Sequence, residues 1–289
     1  MKQLTFLFLM LSALLFSSCN ESSKKSKNSN ASAESTKIYF NGDIITMEGE
    51  SPQYLEAIVE ADGKIIFEGD LKTAENRYKN ATKFDLDGKT LMPGFIEPHL
   101  HPSLAAIMLQ NEIIAPYDWK LPSGTKKGVQ GEQAYRNRIS ESIKSNAIPD
   151  KLYFIWGYHQ LWHGELSRDL LNTIAGNKPV GIIHRSFHEI YLNDAAITKL
   201  GIKESDFKDN PQVNWSKGHF FEGGWLALVP KMAPILLEPN SYLKGLSTMS
   251  ELLRQNGITT IAEPGFPSSD FDGELQLLMK EMGNNPPYD

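Results

Sequence analysis

One cysteine stands among 289 residues, which excludes an intrachain disulfide and makes the position of that residue, Cys19, the informative fact. A basic excess is also missing. Lys and Arg number 29 against 35 Asp and Glu, a formal net charge of −6, so the electrostatic footprint of a nucleic-acid-binding chain is absent and no nucleic-acid partner is expected. The chain lacks an apolar run of the ~20 residues that a membrane-spanning helix takes. It also lacks an internal repeat. Hydrophobic content of 40% and charged content of 22% are ordinary for a globular protein, which excludes a fibrous or disulfide-built one. The length admits one large domain, or a large one with a small one.

What the N-terminus does contain is short and directional. In "MKQLTFLFLMLSALLFSSC", Lys2 supplies a positive start, and Leu4 to Phe16 form an apolar stretch broken only by Thr5 and Ser12. Its length suits a signal h-region, and Ser17 and Ser18 supply the small residues before the cysteine. Residues 1–19 resemble a bacterial lipoprotein signal, in which Cys19 is lipidated and becomes the mature N-terminus. An ordinary secretory signal with an incidental cysteine is the alternative. Residues 20–36, "NESSKKSKNSNASAEST", have almost no apolar side chains to bury and read as a disordered tether. The expectation is an exported protein, anchored to a membrane through Cys19, in the periplasm or at the cell surface.

From Lys37 the pattern changes. "KIYFNGDIITM" and "EAIVEADGKIIFEGD" are β-branched and aromatic runs with Asn-Gly and Asp-Gly dipeptides, and "DLDGKTLMPG" adds a third turn. Residues 37–90 therefore read as a small antiparallel β unit that needs a partner sheet. Residues 91–289 read as mixed α/β. "RDLLNTIAG" and "DAAITKLG" are short helices capped by Ser167 and Asn193 and stopped by Gly176 and Gly201. "KPVGIIHRS" has strand length, and "YLKGLSTMSELLRQNG" is a helix with Leu243, Leu246, Met249 and Leu253 on one face. "ITTIAEPG" follows it as a strand, and "YDWKLPSG" (117–124) reads as a loop serving as a lid or substrate wall.

The chemistry concentrates in "LMPGFIEPHLHP", residues 91–102. Side chains alternate along a strand, so His99 and His101 point the same way and could present two imidazoles to one ion. Alone, H-x-H also describes a polar strand end. Its context is a hydrophobic strand ending in polar groups, which is where α/β barrels place their active sites. The stretch resembles the "PGF-acidic-x-H-x-H" signature that opens the catalytic barrel of the amidohydrolase superfamily. "FIWGYHQLWHGELSRDLLNTIAGNKPVGIIHRSFHEIYLNDAAITKLGI" resembles the long insert of amidohydrolase family 3, the branch containing N-substituted formamide deformylase.

The resemblance implies an α/β fold class: the N-terminal part of a metal-dependent hydrolase TIM-like barrel, preceded by half of a small β-sandwich. It implies hydrolysis of carbon–nitrogen bonds other than peptide bonds, such as amides or formamides, in a small-molecule substrate. The cofactor is a divalent metal, usually zinc in this superfamily, as one or two ions. His99, His101 and Glu222 are the candidate metal ligands. Glu97 stands where the superfamily usually has Asp, and it and His188 are candidate catalytic residues. His184 and Glu263 are candidate substrate contacts, Glu263 also a candidate near the metal. Bland alternatives stand beside each of these: a solvated strand-end Glu97, a helix-start Glu222 and structural histidines at 184 and 188. His159, His163 and His219 read as solvated by default.

A full site needs further histidines and a late aspartate as general base. No histidine follows His219, and Asp270, Asp272 and Asp289 are expected in loops or at the terminus. The barrel is thus expected to be incomplete, with this chain an N-terminal fragment of little activity by itself. A non-catalytic exported ligand-binding lipoprotein is the alternative. A sugar-binding lipoprotein would draw only on Trp156, Trp162 and Trp225, residue types that more often fill cores.

Overall fold

A computed structural model describes residues 36–266 and 271–283. The expected signal, Cys19 and the tether up to residue 35 lie outside the described residues, as do Asp270 and Asp289. The chain divides into two compact units at Pro93/Gly94.

In the first unit, β1 (Lys37–Ile45) pairs antiparallel with β2 (Tyr54–Ala61), and β2 with β3 (Lys64–Gly69). The Asp62–Gly63 turn joins the latter two with φ of 53° and 73°, the double positive φ that a two-residue hairpin demands. α1 (Leu71–Arg77) follows, capped by Asp70, whose Oδ1 accepts the Thr73 N–H at 2.8 Å. This helix carries the chain back across the sheet, so β4 (Thr82–Asp85) and β5 (Thr90–Leu91) run parallel to β1. The sheet is therefore mixed, where an antiparallel one was expected. Ala74 of α1 packs on Ile38, Ala57 and Val59, so a helix covers one sheet face.

Asn41-Gly42 does not turn the chain. Asn41 has φ 60°, and the pair forms a bulge inside β1, where the register with β2 shifts between Phe40 and Ile44. A Cβ at Gly42 would strike the Lys89 carbonyl oxygen, and the Asn41 amide donates to Asp85 Oδ1 at 2.7 Å. The dipeptide supplies positive φ; its neighbours decide whether that makes a turn or a bulge.

The second unit opens with β6 (Phe95–Glu97). The expected strand "TLMPGFIE" is interrupted at Met92–Gly94, where proline offers no ladder donor. α2 (Pro102–Leu109) starts on a proline, where the missing N–H costs nothing. β7 (Glu112–Ile113) follows. The stretch 117–124 is a hairpin arm, not a loop: β8 (Trp119–Leu121) pairs with β9 (Gly124–Lys126), and Trp119 packs edge-on against Trp156 at 5.1 Å. Three-residue strands carry too little periodicity to be legible, and tertiary packing holds this one.

Next come α3 (Glu132–Asn146), β10 (Tyr153–Tyr158), α4 (Gln160–His163), α5 (Arg168–Ala175) and β11 (Val180–His184). β12 (Glu189–Leu192), α6 (Asp194–Leu200), β13 (Val213–Asn214) and β14 (His219–Phe221) complete a six-stranded sheet of order β13-β14-β12-β11-β10-β7. β7, β10 and β11 are parallel, and the rest pair antiparallel. Alternate side chains feed two cores: Phe154, Trp156 and Ile183 on one face, Ile155, Tyr158 and Ile182 on the other. The helix caps follow the sequence, with Ser167 Oγ accepting the Leu170 N–H and Asn193 Oδ1 the Ala196 N–H, and Gly201 left-handed at φ 63°.

α7 (Gly223–Leu236) and α8 (Pro239–Gln255) then lead to β15 (Ile258–Ile261) and α9 (Phe271–Leu278). Asp272 therefore lies in the first turn of a helix, where a loop was expected. β15 runs parallel to β6, and among the described residues this pair stays apart from the six-stranded sheet with no barrel closed. No described helix is long and apolar enough to cross a membrane.

His163, expected in solvent, is fully buried and stacked on Tyr135 at 3.9 Å. Its Nε2–H donates to the Val129 carbonyl at 2.9 Å, while Nδ1 accepts the His159 N–H at 3.2 Å. Both nitrogens are thus satisfied in the neutral ring. Burial pushes its pKa from 6.5 down to about 4. Between these values the unfolded chain takes up a proton that the folded chain refuses, so stability falls as the pH drops through that window, by about 3 kcal/mol. Above pH 6.5 both states are neutral and the effect vanishes. His163→Phe is expected to flatten this acid limb in urea unfolding compared at pH 7 and pH 5; an unchanged pH slope would refute the assignment.

Candidate metal centre

The parallel ladder of β6 and β15 continues past both strands. Ala262 N–H donates to the Glu97 carbonyl and Leu100 N–H to the Ala262 carbonyl, each at 3.0 Å. Segments 97–101 and 261–263 are thereby held side by side at the C-terminal ends of the two strands. β6 ends at Glu97, so His99 and His101 lie in the turn before α2 and not within the strand whose alternation was expected to align them. They converge all the same, with their Nε2 atoms 3.2 Å apart. Two nitrogens each ~2.0–2.1 Å from a tetrahedral ion would be about 3.3–3.4 Å apart, so this pair fits a shared cation.

Glu263 completes the arrangement. Its Oε1 lies 2.7 Å from His101 Nδ1 and accepts the Gly265 N–H, also at 2.7 Å. The carboxylate holds the proton on Nδ1 and turns the Nε2 lone pair toward His99, the orientation that a metal-ligating imidazole takes from a supporting carboxylate. A Cβ at Gly265 would come 2.9 Å from His101 Cε1, so only glycine leaves this ring its place. Glu97 does something else. Its Oε1 accepts the backbone N–H of His99 at 3.1 Å, bracing the turn and touching neither imidazole. The support expected from Glu97 comes from the neighbouring strand's Glu263, which was expected chiefly to meet substrate. Glu263→Ala is expected to weaken metal affinity 10–100-fold, measured by chelator competition. Undiminished affinity would show that the contact does not support a metal.

A second group forms where β11 turns into β12. His188 Nδ1 lies 3.0 Å from Glu222 Oε2, and the Glu222 N–H donates to the His188 carbonyl at 2.9 Å. Phe187 and Glu222 take positive φ, 62° and 44°, a costly conformation for side chains of this size. The His188–Glu222 pair is more than half exposed, so the ion pair by itself adds little stability. Glu222 sits at the start of α7 and makes no capping bond with its side chain, so the bland reading of a helix cap does not explain it.

One cavity of about 430 Å³ joins the two groups: His101 and Gly265 line one part, and Ser186, Phe187, His188 and Glu222 another. Its remaining walls are apolar side chains of α2 and α7 and of Leu237 just beyond α7. Residues 117–124, expected as a lid, do not line it.

His184 stands outside the cavity. It is buried against Tyr158 and His159, and its Nδ1 accepts the Ser186 N–H at 3.2 Å with Ser186 Oγ at 2.7 Å. Burial pushes it toward the neutral form. Instead of the expected substrate contact, it supports the turn that carries His188. His219 is not a free surface residue either, since its Nε2 meets Glu189 Oε2 at 2.7 Å while the ring stacks on Tyr191. Sequence reading passed over Ser186, which accepts the His188 N–H, and Phe187, because positive φ at a phenylalanine leaves no mark in composition. Among the described residues no set of three or more His, Cys, Asp or Glu is placed to hold one ion, and Glu222, expected as a ligand, is paired with His188.

The family model described as "Amidohydrolase family" matches residues 83–284, and the chain belongs to that family. Its fold is shared with two uncharacterized metal-dependent hydrolases of known structure, from Pyrococcus horikoshii OT3 and Pyrococcus furiosus, at 22% and 20% identity and a TM-score of 0.63 each. Both likenesses cover 87% of this chain, and 47% and 48% of those proteins. The chain thus spans about half the length of these relatives. A stretch of 78 residues is 36% identical to the exoenzymes regulatory protein AepA of Pectobacterium carotovorum subsp. carotovorum, covering 27% of this chain and 17% of that one.

Proposed function

We propose that His99 and His101 are half of a divalent-metal site, most simply zinc, in a hydrolase of carbon–nitrogen bonds other than peptide bonds, with amides or formamides as substrates. The observation that carries this reading is the 3.2 Å convergence of two imidazoles, one of them held by a carboxylate. When bound, the cation supplies a Lewis acid and makes a water nucleophilic near neutral pH. His99 and His101 hold it, and Glu263 fixes the His101 tautomer. His188, held at Nδ1 by Glu222, lines the cavity, where its imidazole can donate to a carbonyl oxygen as negative charge grows there. Ser186 and the strained Phe187 and Glu222 keep that imidazole in place. The ligands that complete the metal site and the general base come from outside the described residues.

We further propose that the first unit is the front half of a small β-sandwich, and that β6 and β15 belong to a barrel with His99 and His101 at its mouth. Family membership supports this, as does the placement of both histidines and Glu263 beyond the C-terminal ends of parallel strands. Kinship with the formamide deformylase branch rests on the sequence resemblance. The test is metal analysis of the full-length protein, then assay against a panel of N-acyl and N-formyl compounds. Stoichiometric zinc with turnover of at least one class is the expected result, and a metal-free protein inert to all of them would overturn it. A non-catalytic ligand-binding role is the second reading, favoured by the largely apolar cavity, and stoichiometric metal would count against it.

Export and lipid anchoring through Cys19 remain part of the proposal, supported by the signal-like pattern of residues 1–19. Cys19→Ala is expected to abolish labelling by radioactive palmitate and to release the protein from the membrane fraction. Labelling that survives the substitution would sink the anchor.

A further inference from the structure

The ends of β10 and β11 carry a second group of polar residues, outside the cavity. The two strands run parallel, and open α/β sheets bind ligands beyond the carboxyl ends of such strands. A bulge marks the end of β10. Its register with β11 shifts between Trp156 and Tyr158, and Gly157 has φ 114°. A Cβ at Gly157 would come 2.8 Å from the Ile114 carbonyl oxygen, so glycine is required there. Bulges of this kind re-aim neighbouring side chains. Beyond the bulge, the His159 ring lies 4.9 Å from that of His184 and 4.7 Å from that of Trp162. Arg185, next after His184, has its Cζ 5.6 Å from the centre of the Trp162 ring. None of these four residues lines the cavity of His101 and His188.

The backbone makes donors of both imidazoles. The Ser186 N–H donates to His184 Nδ1 at 3.2 Å and the Leu161 N–H to His159 Nδ1 at 3.1 Å, so each neutral ring carries its hydrogen on Nε2. His184 is 6% exposed, and its Nε2 meets no acceptor. A buried donor left open is rare in a native fold and asks for a group from outside. Among the described residues, His159 Nε2 likewise has no acceptor, and the exposed Arg185 guanidinium has no carboxylate partner. Glu189, whose charge reaches His184, is already engaged by His219 Nε2 at 2.7 Å.

We propose that His184, His159 and Arg185 form a binding site for a small organic carboxylate, with Trp162 as the apolar surface beside it. Two N–H groups and a cation without acceptors suit an anion. With both rings neutral, the guanidinium is the one positive charge of the group, which matches a monoanion. Its planar fork fits the two oxygens of a carboxylate. Tyr117, edge-on to Trp162 at 5.5 Å, widens the aromatic surface, so a flat body such as a benzene ring has a wall to rest on. The site stands whether or not His99 and His101 hold a metal. Because His184 braces the turn that carries His188 through Ser186, a carboxylate held there ties that turn to the end of β10.

The test is calorimetry on the full-length protein with acetate, benzoate, benzamide and inorganic phosphate, each titrated with and without a chelator. Benzoate is expected to bind more tightly than acetate, equally well with and without the chelator. Benzamide has the same shape but no charge, and is expected to bind at least about tenfold more weakly. Arg185→Met keeps the length of an exposed side chain and is expected to lower benzoate affinity at least about tenfold with the melting temperature unchanged. In nitrogen-15 NMR of the histidine rings, benzoate is expected to shift the His184 Nε2–H signal in the parent protein. Binding that vanishes with the chelator would put the carboxylate on a metal ion and overturn the site. Benzamide bound as tightly as benzoate overturns charge recognition, and phosphate bound more tightly than either carboxylate overturns the ligand class. Unchanged benzoate affinity in Arg185→Met, an unmoved His184 signal, or no binding of any probe would each overturn the proposal and leave the reading of His99 and His101 untouched.

Discussion

Replacing His99 and His101 together by alanine is expected, on the proposed function, to strip the protein of a divalent cation and lower kcat/KM by at least about 10³-fold. The magnitude follows from what the two imidazoles hold in that proposal. A Lewis-acidic cation contributes several kcal/mol of transition-state stabilisation, and each 1.36 kcal/mol is tenfold in rate. Their Nε2 atoms lie 3.2 Å apart, and among the described residues no third ligand stands ready to keep the ion. Folding should survive, because His99 is exposed and the imidazoles sit beyond the end of β6, outside the main cores. Metal content by atomic emission, with a thermal melt as the control, checks this. A folded double variant that retains stoichiometric metal would end the assignment.

Gly245→Val is expected to cost about 3 kcal/mol of stability, a melting temperature roughly 6–12 °C lower, and to weaken metal binding at the proposed site without touching its residues. α8 lies so close on α2 that a Cβ at Gly245 would strike the backbone of Ala106, its carbonyl group and Cα, which can yield only if α2 itself moves. Glycine inside a helix costs roughly 1 kcal/mol against alanine, and here the close approach explains its use. Tyr242, one turn from Gly245, donates from its hydroxyl to Ser103 Oγ at 2.7 Å, both side chains buried, so the two helices are registered as well as packed. α2 begins immediately after His101 and sets where that ring stands relative to Glu263. Displacing α2 therefore reaches the proposed metal site through the backbone. A valine variant as stable as the parent would show that the helices can part at no cost.

Local chemistry made much of the framework legible in advance. Ser167 and Asn193 cap helices because their side-chain oxygens meet free N–H groups, whatever packs outside. Asp62-Gly63 turns a hairpin through its own φ preferences, yet Asn41-Gly42, with similar preferences, became a bulge because β4 and β5 flank it. The H-x-H pair was visible as a motif, although its geometry is that of a turn and not of a strand. His163 and His219 looked solvated because nothing local announces Tyr135 or Tyr191 stacked on them.

By itself the sequence determined the alternation of strand and helix, the caps, and the two histidines that point to a metal. Those features depend on neighbours a few residues apart. Only the tertiary structure decided that Glu263, 162 residues from His101, is the carboxylate on its imidazole, while Glu97, four residues away, braces a backbone turn. It likewise brought His188 and Glu222 into one cavity with His101. The reason is physical: parallel pairing of β6 with β15, and the return of β14 beside β12, are long-range hydrogen-bonded contacts whose partners no local pattern specifies.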